Sequence, residues 1–212
     1  QFTEAEIRAV VAEADTHRRY VMAHCHTDQA IRRCVEYGVR TIEHGSEIHA
    51  ETAALIAREN AFVVPTLSVV NIIQQHGAEL NLSAAGLEKS QGLYDSMREA
   101  ITTCAAAGVK LGLGTDILDD RFHPLQGGEL ALRGELSPAL EVLRSATSVN
   151  AEILQKSGEL GCIAAGAYAD MLVLEGNPLE DLSLFRDSDN NIPVIMKGGE
   201  LVRQRLPSTA EA

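Results

Sequence analysis

The chain has 212 residues, 45% of them hydrophobic and 23% charged, which is typical of a folded globular chain rather than a disordered or coiled-coil one. The formal net charge is −12, from 30 acidic and 18 basic residues, so a nucleic-acid partner is excluded because phosphates require a basic surface. No apolar run reaches the length of a membrane span, and we therefore expect no membrane partner.

The four cysteines, Cys25, Cys34, Cys104 and Cys162, form no CxxC pair. Sparse cysteines inside apolar segments are typical of reduced core thiols in a reducing compartment. We therefore expect a cytoplasmic protein. No signal peptide is visible at the start, and the natural N-terminus is not visible either.

Residues 1–66 alternate between helical and extended patterns. Apolar spacing and the capping pair Thr3 and Glu6 predict a first helix over Thr3–Arg18. Such alternation is typical of an α/β fold with parallel strands. The further predicted elements are a strand Tyr20–His24, a helix Asp28–Tyr37, a strand Val39–His44, a helix Ile48–Asn60 and a strand Phe62–Thr66.

The later part of the chain changes character. Leu67–Gly86 has no clear period and is expected to form a lid or substrate wall, or else a helical excursion that packs on a neighbour. The elements predicted next are a helix Leu87–Ala107, a strand Val109–Asp116 and helices Glu129–Arg133, Pro138–Ala146 and Asn150–Ser157. Three short strands without crossing helices then predict a small β appendage: Ala169–Leu174, Ile192–Lys197 and Glu200–Arg203.

Side chains that can bind a metal follow three of the predicted strands. His24 and His26 lie at the end of the first strand, His44 ends the second, and Asp116 ends the fourth. Parallel strands share one carboxyl edge, so two imidazoles and one carboxylate can converge there on a divalent cation such as zinc. A single histidine at a strand end is usually a hydrogen-bonded rim residue, and Gly-Thr-Asp also makes turns. The spacing alone leaves both interpretations open.

Four motifs, VMAHCHT, GVRTIEHG, FVVPTLSVV and GVKLGLGTD, resemble the second half of the amidohydrolase superfamily barrel. The similarity points to the imidazolonepropionase-like branch, which includes metal-dependent dipeptidases acting on Xaa-Pro and Xaa-Arg substrates. The tail motifs SPALEVLRSATSVNAEIL, LGCIAAGAYADMLVLEGNPLEDL and VIMKGGELV agree with it. The resemblance implies strands five to eight of a (β/α)8 TIM barrel over residues 1–158, the C-terminal part of a small β-sandwich over 159–206 and a tail over 207–212.

The same resemblance implies roles for single residues. His24 and His44 match the metal ligands of strands five and six, and Asp116 matches the strand-eight aspartate that binds metal and shuttles the proton. His26 is implied to contact substrate, and so is His123, for which a solvated loop histidine is the alternative. The implied cofactor is a divalent metal, zinc in the first place, as one or two ions.

Two features of that family are missing from the printed sequence, namely the HxH motif of strand one and the bridging lysine of strand four. A second metal ion would need both. The first residues resemble the helix that follows strand four. We therefore expect the C-terminal half of a longer enzyme, whose partner is the missing N-terminal half of the barrel and which is inactive by itself.

The implied function is metal-dependent hydrolysis of a C–N bond in a dipeptide or an N-acyl amino acid. One alternative is hydrolysis of a cyclic, imidazolone-type amide, or deamination, on the same scaffold. Another alternative is a non-catalytic half-barrel scaffold that binds no metal. The expected partner is a small-molecule or dipeptide substrate, and a homo-oligomer is left open.

Overall fold

The computed structural model describes residues 2–205, and the predicted tail over 207–212 lies outside them. The chain divides into two compact units, Gln1–Leu118 and Asp119–Ala212. This division into compact units does not test the domain limits expected from the sequence, 1–158 and 159–206, and those limits stay predictions. Among the described residues, no helix has both the length and the apolar character that a membrane crossing requires.

The first unit is built on a parallel sheet of four strands in the order β1-β2-β3-β4. The strands are β1 (Met22–Cys25), β2 (Thr41–His44), β3 (Phe62–Val64) and β4 (Lys110–Leu111). The helices are α1 (Glu4–Thr16), α2 (Asp28–Glu36), α3 (Ala50–Arg58), α4 (Leu67–His76) and α5 (Ala84–Ala106). The predicted α/β class with parallel strands is confirmed.

The core of this unit lies between the sheet and helices α2, α3 and α5. Its centre is completely buried and is formed by Ile42 and Val63 of the sheet, Ile31 of α2, Ile56 of α3 and Cys104 of α5. Each aliphatic side chain buried there contributes roughly 1.5–3 kcal/mol, and this packing fixes the strand ends in space.

Side-chain hydrogen bonds form at the starts of α1, α2 and α3. In α1 the N–H of Glu6 donates to Thr3 Oγ1 at 3.3 Å, and the N–H of Thr3 donates to Glu6 Oε2 at 2.7 Å, which is the predicted capping box. Asp28 joins the starts of α2 and α3. Its carboxylate accepts from the N–H of His49 at 2.8 Å and from the hydroxyl of Thr52 at 2.9 Å.

Leu67–His76 forms α4, which packs on α5, so the helical excursion predicted as one alternative for Leu67–Gly86 is present. The stretch lacks a clear period because apolar side chains of α4 are buried on several sides and leave no single amphipathic stripe. One predicted segment differs from the structure. The predicted strand Val109–Asp116 pairs with β3 only over the two residues of β4. After the N–H of Gly112 donates to the carbonyl of Val63, the chain leaves the sheet and reaches a left-handed φ of 51° at Asp116.

The second unit combines short helices with an antiparallel sheet in the order β5-β6-β7. The three predicted strands occur as β5 (Met171–Val173), β6 (Val194–Lys197) and β7 (Glu200–Gln204). Gly198 and Gly199 both have positive φ, as the tight turn between β6 and β7 requires. The helical segments are a 3₁₀ turn Asp120–Leu125, α6 (Gly128–Gly134), α7 (Ala139–Arg144), a π turn Ser145–Val149, α8 (Asn150–Ile153), a 3₁₀ turn Leu182–Arg186 and α9 (Ser188–Asn191).

Candidate metal centre

Three histidines meet at the carboxyl edge of the parallel sheet. His24 lies in β1, His26 directly after it, and His44 ends the neighbouring strand β2. The ring centroids are 4.7 Å apart for His24 and His26, and 4.5 Å apart for His24 and His44. One potential ligand atom of each histidine lies within 4.8 Å of those of the other two. We refer to these three residues as the histidine cluster.

His44 joins the histidine cluster through an unusual backbone conformation. In the β1–β2 register its Cα pairs with Cys25, so regular alternation would put the ring on the Cys25 face and not on the His24 face. The φ of His44 is +72°, in the left-handed region, and this interrupts the alternation at the end of the strand. A non-glycine residue held in such a conformation costs roughly 1–3 kcal/mol, and such residues concentrate at functional sites.

Two buried hydroxyls hold rings of the histidine cluster. Ser46 Oγ lies 2.8 Å from Nδ1 of His26, and Thr66 Oγ1 lies 2.7 Å from Nδ1 of His44. Both hydroxyl residues are almost fully buried. With Nδ1 engaged in each ring, Nε2 is the atom left to bind a cation, and its lone pair is available when Nδ1 carries the proton and donates to the hydroxyl oxygen.

Burial and like charges favour the neutral imidazole. Burial lowers the pKa of His44 below its usual range, and the charges of the two other cluster histidines lower it further. Burial also lowers the pKa of His26, with the charge of His24 as the next cause. The negative charge of Asp116 acts in the opposite direction on both pKa values. Neutral rings are the form that binds a metal ion, so the site favours binding near neutral pH.

The other residues singled out in the sequence have different positions. Asp116, at the end of the Gly-Thr-Asp motif, interacts electrostatically with His26 and His44 but is outside the close group of ligand atoms. His123 lies in the 3₁₀ turn of the second unit, where its carbonyl accepts from the N–H of Gln126 at 3.1 Å. The metal roles of His24, His44 and Asp116 and the substrate roles of His26 and His123 stay predictions.

Sequence reasoning did not find Ser46 and Thr66. Their only signal in the sequence is a hydroxyl residue shortly after the end of a strand, a position where serine and threonine are common for other reasons. Gly114 lies close to one of these residues, Thr66. A Cβ at Gly114 would lie 2.9 Å from Val64 Cγ1 and 3.5 Å from Thr66 Cγ2. Gly114 therefore allows the backbone to pack directly beside Thr66.

The donor set of the histidine cluster fits a divalent metal ion. A tetrahedral zinc ion with Zn–N bonds of about 2.0–2.1 Å holds its ligand atoms about 3.4 Å apart, and cluster atoms within 4.8 Å of one another reach that spacing by small rotations. Three imidazoles also leave a fourth position for water, as in catalytic zinc sites. The fold and the site together define an α/β protein whose parallel sheet carries, at its carboxyl edge, three histidines that could hold a metal ion.

The chain belongs to the amidohydrolase family, which it matches over residues 1–202. Ochratoxinase from Aspergillus niger is 31% identical over 205 residues, which are 96% of this chain and 42% of ochratoxinase. A prolidase crystallised with N-methylphosphonate-L-proline is 44% identical with a TM-score of 0.91, over 96% of this chain and 50% of the prolidase. A Xaa-Pro dipeptidase with bound methionine is 28% identical with a TM-score of 0.85, over 96% of this chain and 49% of the dipeptidase. The chain thus spans about half the length of these relatives.

Proposed function

We propose that this chain carries the histidine-rich part of a metal-dependent hydrolase that cleaves a C–N bond. One observation carries the proposal: three imidazoles, with ligand atoms within 4.8 Å of one another, lie at the carboxyl edge of a parallel sheet. Active sites of parallel α/β barrels collect at that edge. Membership of the amidohydrolase family supports hydrolysis over the non-catalytic scaffold.

The architecture in the proposal is the second half of a (β/α)8 barrel, with β1 to β4 as strands five to eight. The consecutive parallel order of the four strands supports it, as does the match to half the length of the prolidase. A sheet of four strands cannot close on itself, so the active protein needs four further strands from additional polypeptide. That polypeptide is the main partner in the proposal.

The residues of this chain have separate tasks in the proposed reaction. His24, His26 and His44 would hold a divalent ion, which would supply Lewis acidity and would lower the pKa of a water molecule from about 16 towards 7. In this proposal His26 is a third ligand instead of the predicted substrate contact. Thr66 and Ser46 orient His44 and His26 through their Nδ1 atoms. A carboxylate oxygen of Asp116 accepts a proton from the attacking water and donates it to the leaving nitrogen, which then departs as an amine.

The proposed substrate is a dipeptide of the Xaa-Pro type. The names of two relatives, a prolidase and a Xaa-Pro dipeptidase, favour this class, and the first of them shares 44% identity with this chain. Ochratoxinase favours a second candidate, a substrate of the ochratoxin type, since its name refers to ochratoxin. Loops of the further four strands would select between these two substrates.

Zinc uptake by the chain itself tests the proposal. The purified chain is stripped with a chelator, loaded with Zn²⁺, dialysed and analysed by elemental mass spectrometry. We expect about one tightly held zinc ion per chain and its loss in the double variant His24→Ala with His44→Ala, because two of three imidazoles are gone. The control is His17→Ala, which removes an exposed histidine of α1 that pairs with Glu13. Equal zinc content in all three proteins would refute the site.

A further inference from the structure

Two neighbouring cysteines lie on the face of β1 opposite to His24 and His26. Cys25 ends β1 and Cys34 lies in the last turn of α2, and their Sγ atoms are 3.5 Å apart. Both side chains are buried, and neither is in a disulfide. A disulfide has an S–S distance of about 2.05 Å, so the sulfurs need to approach by only about 1.5 Å to form one.

In the chain by itself, the pair can be reached from solvent. Cys25 and Cys34 both line an open cleft of about 700 Å³ beside β1, together with Ile7, Val10 and Val39. The other two cysteines have different surroundings, since Cys104 is fully buried in the core and Cys162 is exposed in the second unit. A small oxidant in the cleft therefore meets two adjacent thiols.

Hydrogen bonding within the pair prepares one of its sulfurs for reaction. Either thiol can donate in the hydrogen bond between the two sulfurs. This bond lowers the pKa of Cys34 to about 7, and the positive charge of Arg33 lowers it further, while burial acts in the opposite direction. The thiolate is the nucleophile in thiol chemistry, so Cys34 is the sulfur that reacts first.

We propose that Cys25 and Cys34 are a redox site in which hydrogen peroxide forms a reversible disulfide, and that this disulfide lowers the metal affinity of the histidine cluster. The first half rests on the geometry of the thiol pair. The second half rests on the proposed function, because it assumes that the histidine cluster holds a metal ion.

The oxidation proceeds in two steps. The Cys34 thiolate attacks one oxygen of the peroxide, so that an S–O bond forms, the O–O bond breaks and hydroxide leaves. The Cys25 sulfur then attacks the sulfenic sulfur, so that the S–S bond forms, the S–O bond breaks and the second oxygen leaves as water with the thiol proton. Two thiols and one peroxide give one disulfide and two waters. A dithiol reductant reverses the reaction by exchange.

The link to the histidine cluster runs through β1. Cys25 stands between His24 and His26, and its side chain faces α2 while theirs face the cluster. We expect bond formation to pull the Cys25 sulfur towards α2 and to shift the end of β1 with it. Ligands of a metal site must be held to within about 0.5 Å, so even a small shift of β1 would take His24 and His26 out of position.

Tryptic mapping tests the disulfide. Trypsin cleaves after Arg32 and Arg33, so Cys25 and Cys34 fall on different peptides. The experiment uses the Cys162→Ser chain, which cannot cross-link through its exposed thiol. After peroxide treatment we expect the two peptides to remain linked, with a loss of about 2 Da that dithiothreitol reverses. The linked species should disappear in Cys34→Ser and persist in Cys104→Ser. Separate peptides that carry only added oxygen would overturn the proposal. Mapping of the chain that contains both Cys25 and Cys34 decides this even if the Cys34→Ser or Cys104→Ser variant does not fold.

Zinc release tests the second half. The zinc-loaded chain is oxidised in the presence of a chromogenic chelator, and we expect release at least tenfold faster than from the oxidised Cys34→Ser chain. Equal release rates would refute the link between the disulfide and the cluster. A reduced chain that takes up no zinc contradicts the proposed function and, with it, this second half. The tryptic result still decides the disulfide in that case, so the two failures are distinguishable.

Discussion

At the scale of single residues, the hydroxyl of Thr66 is the contact on which His44 most depends. It lies 2.7 Å from Nδ1 of His44 and is buried with it. Thr66→Val keeps the shape of the side chain but removes the oxygen that fixes the ring and its tautomer. Loss of such an outer contact typically weakens metal binding by about 10–100-fold. We expect a loss of this size in a zinc competition titration of the Thr66→Val chain.

Two further variants separate positioning from packing. Thr66→Ser retains the hydroxyl and should restore most of the zinc affinity, although it lacks the methyl group. Thr102→Val makes the same exchange at an exposed threonine of α5, whose hydroxyl donates to the carbonyl of Glu99, and should leave zinc affinity unchanged. If Thr66→Val held zinc as tightly as the unmodified chain, the hydroxyl would have no positioning role.

Asp116 is the residue that separates metal binding from catalysis. In the proposed reaction its carboxylate moves a proton, and an amide of the same size cannot do so. General acid–base catalysis contributes about 10²–10⁴-fold to a rate, so Asp116→Asn should lower hydrolysis of a Xaa-Pro dipeptide by that factor in the protein with all eight strands. Zinc content should stay close to that of the unmodified protein. Hydrolysis at an unchanged rate would remove Asp116 from the mechanism.

At the scale of secondary-structure elements, Asp28 connects the helices that follow β1 and β2. Asp28→Ala leaves the Thr52 hydroxyl without its carboxylate partner in a fully buried position. An unsatisfied buried group costs roughly 1–3 kcal/mol, and we expect urea unfolding of the variant to show a loss of this size. Asp15→Ala, at an exposed position of α1, is the control. In the double variant with Thr52→Val the loss should be partly recovered, since no hydroxyl is left unpaired.

The start of α1 gives a pH dependence with a defined sign. Hydrogen bonds from the backbone and the hydroxyl of Thr3 lower the pKa of Glu6 below its ordinary value of 4.5. A lowered folded-state pKa means that the capping contribution is complete above about pH 4.5 and is lost as the pH falls through the lower, folded value. We expect the protection of the first-turn amides of α1, measured against their intrinsic exchange rates at each pH, to fall in that acidic range. Glu6→Gln should show no such step, and a step of equal size in both proteins would contradict this origin.

The local pattern of apolar residues predicts a secondary-structure element when that element buries one face. The same pattern fails when an element is buried on several sides or is paired over only part of its length. The helical spacing of apolar residues in α2 and in α3 was sufficient because each helix packs one face on the core. α4 is buried on several sides, and β4 loses its partner after two residues, so both depend on tertiary contacts. The same limit applies to the site. The sequence places His44 at a strand end, but its positive φ and its contact with Thr66 depend on three-dimensional packing.

At the scale of the whole molecule, the sheet of the first unit leaves β1 at an edge. The apolar cleft beside it is lined by exposed side chains, among them Met22 of β1 and Val10 of α1. An unpaired parallel edge next to exposed apolar surface promotes pairing with other chains. We therefore expect the isolated chain to bind the dye ANS and to self-associate with rising concentration in analytical ultracentrifugation.

Charge placed on this edge should suppress the association. Met22→Lys puts an ammonium group on β1, where lysine is a natural block to edge pairing, and should lower both dye binding and the fraction of associated chain. Ile163→Lys removes an even more exposed apolar side chain from the second unit and should change neither. A protein that supplies four more strands covers the edge and should bind little dye without any substitution. An isolated chain that stays monomeric and binds no ANS would contradict the open edge and weaken the half-barrel proposal with it.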